Sequence, residues 1–149
     1  MIGNLKQKVA IVTGAGQGIG EGIAKVFAKA GAKIVVASRT RENGQQTVDD
    51  IVSAGGDALL MQTDVEQQTQ IDAMVTKTVA HYGRLDIAVH NAAIFPMHSV
   101  ENLPAEVLDS TLSINLKAAF WLAQAAIPHF RKQGGGRLIY TSSVTGPTV

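Results

Sequence analysis

Short apolar runs alternate along the chain with longer stretches in which apolar residues recur every three to four positions. Val9-Ala10-Ile11-Val12-Thr13 is the first run, set between Lys8 and Gly14, and it reads as a buried strand. From Ile19 to Ala30 the residues Ile19, Ile23, Ala24, Val26, Phe27 and Ala30 fall at helical spacing, with Gly31 at the stop position. The alternation then repeats. Further strands are expected over Lys33–Ala37, Ala58–Gln62, Asp86–His90 and Arg137–Thr141. Helices are expected over Arg41–Ala54, closed by Gly55-Gly56, and over Thr69–His81. A longer helical stretch runs from about Pro104 to Arg131, with a break or kink expected near Pro128. Strands alternating with helices of this length imply βαβ units and right-handed crossovers. The fold class is therefore α/β, a Rossmann-type doubly wound parallel sheet. Near-continuous apolar strands fit a sheet covered on both faces.

The turn after the first strand carries the first chemistry. The general dinucleotide fingerprint G-x-G-x-x-G fails here: its third glycine falls on Ile19 when counted from Gly14, and on Glu21 when counted from Gly16. The pattern that fits is Thr13-Gly14-x-x-x-Gly18-x-Gly20. Gly14 permits a tight turn, Gly18 lets backbone approach a pyrophosphate, and Gly20 lets the next helix lie close to the sheet. The helix beginning near Ile19 points free N–H groups and its dipole at that place, with Gln17 beside it. An ordinary glycine-rich strand-to-helix turn is the plainer reading, but its place after the first strand of a βαβαβ series favours nucleotide binding.

Composition narrows the class. The 149 residues fit one domain, and 46% hydrophobic against 17% charged residues fits a globular protein. A formal net charge of +1 without a polybasic run argues against nucleic acid or an anionic membrane as partner. No cysteine is present, which excludes disulfides, cysteine nucleophiles and cysteine metal sites. His81, His90, His98 and His129 lack the spacing of a helical metal site, so no metal is expected. With no signal-peptide core and no apolar run of membrane-spanning length, the expectation is a soluble cytoplasmic protein.

Five ordered motifs give the chain a family likeness. The Thr13 to Gly20 spacing resembles the short-chain dehydrogenase/reductase family. Asp64-Val65 follows the third strand, where that family's Asp meets the adenine ring. His90-Asn91-Ala92-Ala93 resembles its Asn-Asn-Ala-Gly, departing at the first and last positions. Asn115, in Ile114-Asn115-Leu116, is similar to its helix asparagine. Ser142-Ser143-Val144-x-Gly146 resembles its catalytic serine motif, with Ser143 the better match.

The resemblance implies a nicotinamide coenzyme and hydride transfer to or from a carbonyl or secondary alcohol. It makes Ser143 and Asn115 the catalytic candidates. Thr13, Gly14, Gln17, Gly18, Ile19, Gly20, Ser38, Arg39, Asp64, Val65, Asn91, Ala92 and Ala93 become the coenzyme-binding set. An NAD site normally carries an acidic residue after the second strand, yet Ser38-Arg39 stands there and the first carboxylate is Glu42. Ser38 could donate to a 2′-phosphate and Arg39 pair with it, so NADP(H) is expected over NAD(H). Gln17 stands where some NADP-dependent members carry a basic residue, which runs against this.

In the family a Tyr, with a Lys four residues on, acts as acid and base beyond the serine. Val149 precedes that place, and neither Tyr82 nor Tyr140 is followed by Lys at that interval. The expectation is thus a single dinucleotide-binding domain over 1–149, truncated after the fifth strand and inactive as it stands. A noncatalytic nucleotide-binding fragment or cofactor sensor is the alternative. A methyltransferase on a related sheet is a third reading, disfavoured by Ser38 where an acidic residue is wanted. The resemblance further implies a homo-oligomer, dimer or tetramer, through the long helix, with Phe120, Trp121, Leu122, Ala125, Ala126 and Ile127 as the face. Phe95, Met97 and His98 are loop residues in the plainer reading and pocket lining in the sharper one.

Overall fold

The computed structural model describes residues 3–143. Five parallel strands form one sheet in the order β3-β2-β1-β4-β5: β1 (Val9–Thr13), β2 (Lys33–Ser38), β3 (Asp57–Gln62), β4 (Ile87–His90) and β5 (Arg137–Tyr140). Helices α1 (Gly18–Lys29), α2 (Arg41–Ser53) and α3 (Gln68–Tyr82) make the first crossovers. The last crossover holds α4 (Ala105–Leu112), a π turn (Ser113–Lys117) and α5 (Ala118–Lys132). Every strand and helix expected from the sequence is present, with ends shifted by a residue or so.

Side-chain alternation divides the core in two. Ala10, Val12, Ile34, Val36, Ile87 and Val89 point to one face, where Ala24, Val48 and Ile51 of α1 and α2 cover them. Ile11, Val35, Ala37 and Ala88 point to the other, against Ile71, Met74 and Val75 of α3 and Ala118, Leu122, Ala126 and Phe130 of α5. Burial on both faces is what the unbroken apolar strands require. The strand order reverses between β1 and β4, and at such a switch point a crevice opens outside the carboxyl ends of the strands.

Two expectations need correction. The long helical stretch is not broken at Pro128, which lies inside α5. Pro128 removes the bond to the Gln124 carbonyl, but both residues are exposed and water can take that acceptor. The irregular step lies instead at Ser113–Lys117, where the helix widens by a π turn while Leu112, Ser113, Lys117 and Ala118 keep helical dihedrals. The apolar face proposed for association is also largely core: Leu122 and Ala126 are fully buried, and Trp121 and Ala125 pack beside them. The exposed apolar residues of this stretch are Leu108, Leu112, Leu116 and Phe120. They occupy the helix surface turned away from the sheet.

Candidate functional site

A cleft of about 560 Å³ lies at the carboxyl ends of the strands. It brings together Gly14, Gln17, Gly18, Ile19, Ser38, Arg39, Asp64, Val65, Asn91, Ala92, Ala93 and Ser143, all from the expected set. Thr13 and Gly20 are buried and do not line it; Asn115 is exposed and reaches it only through a neighbour. Val144 and Gly146 of the serine motif lie outside the described residues. A larger hollow of about 920 Å³ between α1 and α2 is walled by Lys25 and Asp50. That lysine is already paired with Glu21 and Asp50, and the hollow lies away from the switch point, so the first cleft is the candidate site.

The glycine turn has the backbone its sequence demands. Gly14 and Gly18 adopt φ of +65° and +59°, which side-chain-bearing residues rarely take. A Cβ on Gly20 would lie 2.6 Å from Asn91 Nδ2 and closer still to the Gly14 carbonyl, so this turn of α1 rests directly on the loop. A Cβ on Gly18 would meet open space. Gly16, absent from the expected set, is fixed by packing, since its Cβ would fall 2.5 Å from Ser38 Oγ. No side chain caps the start of α1 at Gln17, so its first N–H groups face the cleft uncapped.

Beneath the loop, Thr13 and Asn91 clasp β1 to β4. Thr13 Oγ1 accepts from the N–H groups of Asn91 (3.0 Å) and Ala92 (3.1 Å). Asn91 Nδ2 donates to the Thr13 carbonyl at 3.3 Å, and Asn91 Oδ1 accepts from Thr141 Oγ1 at 3.2 Å. The Asn91 side chain therefore joins the ends of β1, β4 and β5.

The rim carries the charge. Ser38 is buried and donates its hydroxyl to the Thr40 carbonyl at 2.8 Å, so its proton is engaged within the rim. The Gly16 backbone packs against Ser38 Oγ, and the hydroxyl takes this local acceptor. Arg39 is exposed at the rim and forms no ion pair among the described residues. Beside it, Asn43 Nδ2 donates to Gln17 Oε1 at 3.3 Å. Asp64 is the one carboxylate among the described lining residues. One of its oxygens accepts from the Glu66 N–H at 3.0 Å, which fixes the turn leading to α3.

Asn115, in the π turn, closes on the backbone of a single residue. Its Oδ1 accepts from the Ile94 N–H and its Nδ2 donates to the Ile94 carbonyl, each at 2.9 Å. Ile94 lines the cleft, whereas Phe95 and Met97 beyond it are more than four-fifths exposed. Ile94, Asn43 and Thr141 were missed because each reaches the cleft through a contact distant in sequence. Tyr82 belongs elsewhere: its hydroxyl donates to Asp57 at 3.0 Å, at the start of β3, and burial with that carboxylate pushes its pKa up.

Known proteins agree with this geometry. The short chain dehydrogenase family model matches residues 8–148. An uncharacterized oxidoreductase of Thermotoga maritima is 41% identical over 143 residues, 96% of this chain and 56% of the relative. A metagenomic short-chain oxidoreductase solved with NADP superposes with a TM-score of 0.91 at 33% identity, over 95% of this chain and 65% of that one. A 7α-hydroxysteroid dehydrogenase solved with NADH and 7-oxo glycochenodeoxycholic acid gives 0.93 at 31% identity, over 97% and 56%. The chain spans about half the length of the curated relatives it matches. With its sheet order, glycine turn and motif order all in agreement, the chain belongs to the short chain dehydrogenase family.

Proposed function

We propose that this chain forms the coenzyme-binding part of an oxidoreductase that transfers hydride between NADP(H) and a small carbonyl compound or secondary alcohol. The observation that carries the reading is the uncapped start of α1 above a glycine turn whose Gly18 faces open space. Backbone N–H groups at a helix start favour phosphate, and a side chain at Gly18 would occupy the place where phosphate has to approach. The residues present therefore fit a dinucleotide. Gly14, Gly18 and Ile19 would hold its pyrophosphate, Asp64 and Val65 its adenine, and Arg39 its ribose phosphate.

The bound nicotinamide supplies or accepts the hydride. Ser143 lines the cleft beyond Asn91 and would orient the carbonyl oxygen through its hydroxyl. Asn115 acts at one remove, by holding the Ile94 peptide in the cleft wall. Thr13, Asn91, Ala92 and Ala93 build the floor. The preference for NADP(H) over NAD(H) rests on Arg39 at the rim and on the absence of a carboxylate at the end of β2. Exposed Leu108, Leu112, Leu116 and Phe120 support association into a homo-oligomer.

Fluorescence titration of the full-length protein with NADPH and then NADH tests the reading. Saturable binding with NADPH the tighter ligand is expected. Binding of neither coenzyme would overturn it, and tighter NADH binding would overturn the preference alone.

A further inference from the structure

Helix α4 is eight residues long, and none of them is buried. Local propensity does not hold so short a helix in place. Among the described residues, one side-chain hydrogen bond ties it to another part of the fold: Ser110 Oγ donates to Glu66 Oε1 at 2.6 Å. The two residues are 44 positions apart, and both are half-buried. A hydroxyl on a carboxylate at this distance belongs to the stronger class of hydrogen bond.

Glu66 reaches the other way through its backbone. Its N–H donates to Asp64 Oδ1 at 3.0 Å. One residue therefore meets α4 with its side chain and the Asp64 carboxylate with its main chain. Other bonds hold the backbone of the same turn. The Thr63 N–H donates to the Ser38 carbonyl at 3.0 Å, and the Gln67 N–H to the Asp64 carbonyl at 3.1 Å. The Asp64 N–H donates to Gln70 Oε1 at 2.8 Å. Val65, 8% exposed, sinks into the same core cluster as Ile114 of the π turn. The Asp64 carboxylate itself is fixed, among the described residues, by the Glu66 N–H alone. That bond takes Oδ1 and leaves Oδ2 as an acceptor, in a residue that lines the cleft. The exocyclic amino group of adenine is a donor of the kind such an oxygen takes.

We propose that Glu66 and Ser110 are a positioning pair for the adenine end of the cleft. Ser110 holds the Glu66 side chain, the held residue fixes the direction of its own N–H, and that N–H sets the Asp64 carboxylate to receive the adenine amino group. Neither Glu66 nor Ser110 lines the cleft, so α4 shapes the site without touching the ligand. The functional consequence rests on the coenzyme-binding reading above; the order of the turn does not.

Two experiments on the full-length protein test it. The first is hydrogen exchange at the Glu66 amide. Loss of one hydrogen bond changes an equilibrium about fivefold, so Ser110→Ala should quicken that exchange by about this factor. Ser110→Thr keeps the hydroxyl and should leave it unchanged. Unaltered exchange in Ser110→Ala would overturn the proposal, whatever the protein binds. The second compares NADPH with its hypoxanthine analogue, in which a carbonyl replaces the adenine amino group. Ser110→Ala and Glu66→Ala should each weaken NADPH about fivefold and leave the analogue almost unaltered. The double variant should bind NADPH no worse than Glu66→Ala, and Glu66→Gln, which keeps an acceptor for Ser110, should bind it normally. Equal weakening of both coenzymes, or additive losses in the double variant, would reduce the pair to packing and overturn the proposal. Failure of the unmodified protein to bind either coenzyme would overturn the coenzyme reading and leave the exchange result standing.

Discussion

The side-chain amide of Asn115 closes on both backbone groups of Ile94, accepting from one and donating to the other at 2.9 Å. Twenty-one positions separate the two residues, and the pair joins the π turn to the loop after β4. Asn115→Ala leaves both Ile94 groups to water or to nothing. Because Asn115 is exposed, the loss should stay near about 1 kcal/mol. Hydrogen exchange at the Ile94 amide checks this: it should quicken about fivefold, with amides of β1 and β2 unchanged.

Arg39 and Ser38 stand side by side, yet their substitution should have opposite consequences. Arg39→Ala should weaken NADPH about tenfold and leave NADH almost unaltered, as expected on losing one charge-assisted contact to phosphate. Ser38→Ala should leave the NADPH/NADH ratio unchanged, because the Ser38 hydroxyl already donates to Thr40. Paired coenzyme titrations of the two variants decide. An unchanged ratio in Arg39→Ala would remove Arg39 from the site.

Three glycines of α1 should respond differently to alanine. Gly20→Ala forces a methyl against Gly14 and Asn91 and should abolish coenzyme binding or folding. Gly18→Ala has room but a φ of +59°, and should cost about 1–2 kcal/mol. Gly22 lies in the helix interior with open space around its Cβ direction, so Gly22→Ala should stabilise by about 0.5–1 kcal/mol. Denaturation midpoints beside NADPH affinities distinguish the three.

Asp86 governs the acid limb of stability. It lies just before β4, at the end of the sheet opposite the cleft. Burial opposes its ionisation, but hydrogen bonds from Arg84, the Val9 N–H and Lys8 outweigh that and hold its pKa below the usual carboxylate range. A carboxyl with a depressed folded pKa stabilises fully above its unfolded value and loses that stabilisation as pH falls through the folded one. Asp86→Asn should therefore cost about 2 kcal/mol at neutral pH and flatten the decline below about pH 4. Denaturation across pH measures both, and the NADPH Kd should not move.

The glycine turn was legible because its determinants are local. Gly14, Gly18 and Gly20 answer to dihedrals and close approaches within one turn, and strand alternation alone divides the core between Ile11 and Val12. What escaped the sequence depends on partners far along the chain. The direction of the Ser38 hydroxyl is set by Gly16 and Thr40, and the grip of Asn115 by Ile94. Pro128 suggested a break in the last helix, and α5 runs on through it. A proline on an exposed face loses a bond that water replaces, whereas the π turn leaves no mark in composition.

Thr13 ends β1, Asn91 and Thr141 directly follow β4 and β5, and the three share one continuous set of hydrogen bonds. The floor of the cleft is consequently ordered by folding itself, before any ligand arrives. Under the proposed function, a coenzyme would find this floor already organised, so less ordering entropy would oppose its binding. Arg39 stands exposed at the rim and outside this set of bonds, so on the proposed reading coenzyme selectivity would change at one side chain without disturbing the scaffold beneath.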